Sequence, residues 1–204
     1  MIKVKKIADC YFDNELYLPF WNKCFVHSKN INDVSFHDIS SFASFYEVGK
    51  FFGDFPYLVM EDNRMIGFFF DDRDHNSNAI GLSIYLSGVK SPRKEYLNMN
   101  VILLCGALHN WFMVNKYSID FLELNTFSKK IVENVLFFSS NLKVYEVRPE
   151  YYIIHNSIID MDLSFVEELF NSFLVKQDEE KSYTFNIPMY IEKDNKRLPL
   201  LEKK

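Results

Sequence analysis

Residues 91–124 read SPRKEYLNMNVILLCGALHNWFMVNKYSIDFLEL. A basic turn opened by Pro92 runs into a long apolar stretch and then into a short strand-like one. Leu97, Val101, Leu104, Leu108 and Trp111 recur at helical spacing, and most of the other face is also apolar. The spacing therefore predicts a helix over about 95–114 lying deep against a sheet. SIDFLEL, 118–124, predicts a strand directly after it, and AIGLSIYL, 79–86, predicts one before. A strand–helix–strand unit at the centre of the chain is the element around which the rest must pack.

Upstream, PYLVMEDNRMIGFFFDD has two apolar runs separated by Glu61, Asp62, Asn63 and Arg64, the pattern of a β-hairpin with a polar turn. MIKVKKIADCYF alternates Ile2, Val4 and Ile7 with lysines and reads as a first strand, lacking the apolar core and cleavage site of a signal peptide. Asp13 caps an expected helix through about 28, and Ser35 or Asp38 opens a shorter one through Tyr46. Downstream, a helix is expected over about 128–138. LKVYEVR and YYIIHNSIIDMDL then read as two strands joined near Pro149. The expected order is β, α, α, β, β, β, α, β, α, β, β. This is a mixed α/β (α+β) architecture, a central mixed sheet with helices on its faces.

One domain over 1–176 accommodates these elements. Residues 177–204 read as a charged C-terminal extension, from the run QDEEK to the tail KDNKRLPLLEKK, with SYTFNIPMYI between them as an added strand. The chain has 204 residues, 48% of them hydrophobic, with 21 Phe and 12 Tyr, so it carries ample apolar surface for one core. Net charge is −5 and the basic residues are scattered, which argues against a nucleic-acid partner. The longest apolar run, VILLCGAL at 101–108, is short of the ~20 residues of a bilayer span. Cys10, Cys24 and Cys105 are odd in number and far apart, which suggests neither a disulfide framework nor a metal site and fits a reducing, cytoplasmic setting. His27, His37, His75, His109 and His155 show no paired metal spacing, and His109 on the apolar helix reads as a core histidine.

With EDNRMIGFFFDD, AIGLSIYL, the turn and helix of 91–114, SIDFLELNTFSKKIVENVLFF and LKVYEVRPEYYIIHNSIIDMDL in this order, the chain resembles the GNAT superfamily of acyl-CoA N-acyltransferases over about 55–165. The branch it looks most like is that of the ribosomal-protein alanine acetyltransferases. The resemblance implies a sheet that splays between 79–86 and 118–124. An acyl-pantetheine arm would lie in the gap, bonded by main chain of Ile84, Tyr85 and Leu86. It also implies a pyrophosphate site within SPRKEYLNMN, with Arg93 and Lys94 beside it and Tyr96, Leu97, Asn98, Met99 and Asn100 supplying N–H groups at a helix start. The family's glycines would fall at 97–100, where this chain has none. The Asn that begins the next helix in the family aligns with Ser128, a competent N-cap. The family's frequent Tyr, which protonates the departing thiolate, aligns with about Val135, which carries no proton.

Acyl transfer to an amine needs an oriented thioester, a neutral amine, and help for the oxyanion and thiolate. Candidate proton handlers near the gap are Glu123 and Tyr85, followed by Tyr145, Asn125 and Glu146. The acceptor side would draw on Trp21, Phe25, Phe42, Phe45, Tyr46, Tyr151 and Tyr152. The implied activity moves an acyl group, by default acetyl, from acyl-CoA to a primary amine of a small molecule, such as an amino sugar nucleotide, or to a peptide N-terminus. The implied co-substrate is acetyl-CoA or another acyl-CoA, with no metal, and a homodimer is compatible. The alternative is a non-catalytic binding or partner protein of the same fold, and a third reading is an unrelated mixed α/β structural protein.

Overall fold

A computed structural model describes residues 1–6, 56–62, 64–74, 78–86, 92–126, 128–178 and 182–203. The helices expected at 13–28 and 35–46, with Trp21, Phe25, Phe42, Phe45 and Tyr46, lie outside the described residues. The chain runs β1 (Ile2–Lys6), β2 (Pro56–Glu61), β3 (Arg64–Asp74), β4 (Ala79–Leu86), α1 (Pro92–Lys116), β5 (Phe121–Thr126), α2 (Lys129–Phe138), β6 (Val144–Arg148) and β7 (Tyr151–Ser157). A 3-10 turn (Ile158–Asp160) follows, then α3 (Ser164–Phe173), β8 (Leu174–Asp178), β9 (Ser182–Phe185), β10 (Tyr190–Lys193) and β11 (Lys196–Pro199). Nine strands form one sheet in the order β6-β7-β5-β4-β3-β2-β1-β9-β8, and β10 pairs with β11 in a second. β4 and β5 are parallel; the other pairs of the large sheet are antiparallel. This is the mixed sheet expected from the sequence.

The β2–β3 hairpin closes at the Glu61–Arg64 pair, with Asp62 at a φ of 45°, a left-handed conformation that aspartate tolerates in tight turns. IIDMDL is a 3-10 turn and loop rather than a continuation of the strand.

α1 is the centre of the core. Val101, Ile102, Leu103, Leu104, Cys105 and Leu108 are all buried, so the helix is covered nearly all round by the sheet, α2, α3 and the C-terminal hairpin. Burial raises the Cys105 thiol well above its ordinary range, because a thiolate would have to be desolvated. Tyr96–Lys116 is long and apolar enough to match a bilayer span, more than the run VILLCGAL alone suggests, but 67% of that window is buried inside the protein. His109 is buried among the rings of Tyr57, Phe69 and Tyr183, at centroid distances of 4.2, 5.5 and 6.2 Å.

The tail is corrected by the structure. The strand expected within SYTFNIPMYI is present as β9, and among the described residues 182–203 pack on the core and are not a solvated tail, because β9 pairs with β1 and brings Tyr183 and Phe185 into the core under α1. KDNK, read as a charge run, is a hairpin turn: Asp194 and Asn195 both have positive φ, 51° and 60°, and Lys193 pairs with Lys196. The hairpin then buries Ile191, Leu198 and Leu200. Asn100 Nδ2 donates to Pro199 O at 2.9 Å while its Oδ1 accepts from Asn134 Nδ2 at 2.6 Å, tying α1, α2 and the hairpin together. Lys193 Nζ donates to Phe138 O at 3.0 Å, placing a cation on the negative end of α2.

Two outcomes follow from this packing. Leu104→Ala should cost about 2–5 kcal/mol in urea unfolding, the cost of a core cavity, whereas Tyr96→Ala on the exposed side should change stability little. At the start of α3, Asp162 Oδ1 accepts from the Ser164 hydroxyl and from the Ser164 amide, and these bonds hold its carboxyl below the ordinary value. A lowered carboxyl pKa contributes stability that is present above the ordinary carboxylate range and lost as pH falls through the lowered value. Protection factors of the 164–167 amides, which remove the intrinsic pH dependence of exchange, should fall in that acid window, and Asp162→Asn should remove that fall.

Candidate active site

The parallel ladder between β4 and β5 runs for three pairs, Ala79–Phe121, Ile80–Leu122 and Gly81–Glu123. Beyond it β4 remains paired with β3 as far as Leu86–Gly67, and β5 remains paired with β7 as far as Thr126–Tyr152. Among the described residues the two strands do not pair with each other past Gly81 and Glu123, so the sheet forks there. The facing edges are 82–86 on β4, including the main chain of Ile84, Tyr85 and Leu86, and 124–126 on β5. Main-chain donors and acceptors released in this way need another partner, and an extended amide-bearing ligand is one.

Glu123 is the last paired residue before the fork. Its cross-strand neighbour on β7 is His155, whose Nδ1 lies 3.0 Å from Glu123 Oε2. The Phe121 ring stacks on the imidazole, with centroids 5.0 Å apart and planes at 25°. Both polar side chains stay accessible, at 42% for His155 and 37% for Glu123, so a substrate can reach them. With the proton on Nδ1, the imidazole donates to the carboxylate and keeps Nε2 as an acceptor. The pair can then take a proton from an amine directly or through water.

His155 is the residue that sequence reasoning passed over. It stands alone in the sequence, 32 positions from Glu123, and only the Phe121–Ser157 register of β5 on β7 brings the two opposite. An ionisable residue on each of two strands of that pairing was the available signal.

The phosphate turn is placed differently from the sequence expectation. α1 starts at Pro92, not near 95, with proline at the first helical position, where its missing N–H costs nothing. The N–H groups of Tyr96, Leu97, Asn98, Met99 and Asn100 are therefore spent inside the helix, and Leu97, Met99 and Asn100 are buried. The donors without an intrahelical acceptor lie one turn earlier, at Arg93 and Lys94, whose side chains are exposed.

Ser128 does cap α2, its Oγ accepting from Ile131 N at 3.3 Å. Val135, on the same helix, borders an apolar cavity. Tyr145 is not brought to the fork: β6 is an edge strand separated from β5 by β7, and the ring is 52% exposed. Glu146 is on that same edge strand. Tyr85 has its backbone on the free edge of β4; its side chain and that of Asn125 are outside the described ones. Among the described residues no group of three or more His, Cys, Asp and Glu side chains is arranged to hold a metal.

No protein-family model matches the chain, and no curated protein matches its sequence. Solved structures do match its fold. An N-acetyltransferase from Staphylococcus aureus superposes with a TM-score of 0.51 at 12% identity, over 77% of this chain and 98% of its own. The ribosomal-protein-alanine N-acetyltransferase of Brucella melitensis gives 0.52 at 8%, over 76% and 99%. The paia N-acetyltransferase of Thermoplasma acidophilum, solved in complex with coenzyme A, gives 0.50 at 14%, over 77% and 99%. The forked mixed sheet, the long core helix after β4 and these superpositions together establish the fold as that of the GNAT N-acetyltransferases.

Proposed function

We propose that the protein is an acyl-CoA-dependent N-acyltransferase, with acetyl-CoA the default donor and a primary amine as acceptor, on a small molecule such as an amino sugar nucleotide or at a peptide N-terminus. The observation that carries this reading is the fork after Gly81 and Glu123. A parallel pair that stops pairing inside a sheet leaves main-chain amides free to bond an extended pantetheine chain, and the Glu123–His155 pair stands where the pairing ends.

In this reading the main chain of Ile84, Tyr85 and Leu86 holds the pantetheine arm. The pyrophosphate lies by the first turn of α1, against Arg93 and Lys94, where helix-end N–H groups and side-chain charge act together. The amine attacks the thioester carbonyl and gives its proton to Glu123, directly or through water, while His155 fixes the carboxylate. The C–S bond then breaks, and the thiolate takes a proton from the Tyr85 hydroxyl, Val135 having none to give. Tyr145 has no part in this scheme. A cytoplasmic setting belongs to the same proposal and is supported by cysteine usage.

A second reading, a non-catalytic protein of this fold, is favoured by one observation: the positions of the family's loop glycines are occupied by helical residues, of which Leu97, Met99 and Asn100 are buried. Acetyl-CoA binding separates the two. Isothermal titration at low salt should show saturable binding that weakens as salt rises. Changing Arg93 and Lys94 together to Ala should weaken it about tenfold without loss of fold. No saturation with acetyl-CoA, CoA or a longer acyl-CoA would leave the non-catalytic reading standing.

Turnover, followed as thiol release over a panel of amines, tests the base. Glu123→Gln should lower kcat by about 10²- to 10⁴-fold and leave acetyl-CoA affinity unchanged. An unaltered rate across pH would remove Glu123 from the mechanism.

A further inference from the structure

An apolar cavity adjoins the fork, between β5 and β7 on one side and α1, α2 and α3 on the other. Leu103, Leu122, Leu124, Val135 and Val166 line it, and Glu123 stands on its border. Leu124 belongs to both places: it is the first residue of β5 beyond the last rung shared with β4, and it lines the cavity. The cavity is therefore part of the site at the end of that pairing. Asn110 and Ser139 border it too, but their side-chain oxygens are buried and offer an occupant no contact, so what an occupant meets is hydrocarbon.

The volume is about 80 Å³, on a measure by which one water needs roughly 10–15 Å³, which gives room for a chain of about four to seven carbons. Water filling the space would face an apolar wall, and cavities of that kind stay dry. Left empty, the wall forfeits the dispersion contacts it could make. Of the groups that the proposed reaction brings to Glu123, the amine is polar and charged when protonated, and the pantetheine arm carries amides, so both lose by entering hydrocarbon. Only the acyl chain matches the wall.

We propose that this cavity receives the acyl chain of the donor, so that the co-substrate is an acyl-CoA with an unsubstituted chain of about four to seven carbons in place of acetyl-CoA. The inference rests on the acyl-CoA reading and refines its donor. The transfer itself is the one already proposed: the amine nitrogen bonds to the acyl carbon, the C–S bond breaks, the amine proton passes to Glu123, and CoA leaves as the thiol with a proton from Tyr85.

Titration of the full chain with CoA, acetyl-CoA and hexanoyl-CoA tests it. Each methylene buried in hydrocarbon tightens binding about fourfold, so hexanoyl-CoA should bind at least about tenfold more tightly than acetyl-CoA. Val135→Phe, which fills the cavity, should remove that gain and leave the affinity for acetyl-CoA within about twofold. In the unaltered chain hexanoyl-CoA should shift the side-chain methyl resonances of Leu103, Val135 and Val166, and CoA should not; this comparison decides should Val135→Phe fail to fold. Binding of acetyl-CoA with no gain for hexanoyl-CoA would overturn the inference and leave the acyl-CoA reading intact. A gain that survives Val135→Phe, or methyl resonances that hexanoyl-CoA leaves in place, would do the same by putting the chain elsewhere. No binding of any of the three would end the inference and the acyl-CoA reading together.

Discussion

A main-chain amide that donates to a neighbouring strand cannot also donate to a ligand, and this exclusion governs the central sheet. β4 and β5 share only the start of their lengths, ending at Gly81 and Glu123. Each can part from the other because its far edge is secured by an antiparallel partner, β3 for β4 and β7 for β5, over the whole diverging segment. Opening a parallel pair flanked by two antiparallel ladders gives up few hydrogen bonds and leaves both strands straight and supported.

The fork also depends on α1, which connects its two arms and must pack beneath them. Because the middle of α1, from Met99 to Asn110, is buried except at Ala107, its register is set by the core and not by a ligand. Leu97 and Met99 are part of that packing and Asn100 is bonded to Pro199, so the segment 97–100 has no freedom to open into a loop. The helix consequently begins at Pro92, and any anion-binding role moves to the turn carrying Arg93 and Lys94. The C-terminal strands enter the same account, since Tyr183 and Phe185 close the side of the core that α1 leaves open.

Local pattern made the central elements legible. The hairpin at 56–74, the strand at 79–86, the helix at its heart and the cap at Ser128 all follow from periodicity and turn chemistry that act over a few residues. What remained illegible depended on distant partners. Charged residues in KDNK satisfy a tight turn as well as they satisfy solvent, and only the burial of Leu198 and Leu200 distinguishes the two. The start of α1 could not be read because proline opens both a loop and a helix. Glu123 was singled out by its position at a strand end, but its partner was not, since a strand register that pairs residues 32 positions apart leaves no local trace.

The alternation of β5 separates two chemistries that a helix could not hold so close together. Leu122 and Leu124 line an apolar cavity on the helix side, which Glu123 also borders, while the side chains of Phe121 and Glu123 meet His155. An acyl carbonyl held in the fork by main chain would therefore have a hydrocarbon layer on one side and an exchangeable proton acceptor on the other. On the proposed acyl-transfer reading, approach from the face bearing Glu123 and His155 would keep the amine solvated until it met the carboxylate, and the sheet's own two-residue period would then set the side from which the acceptor comes.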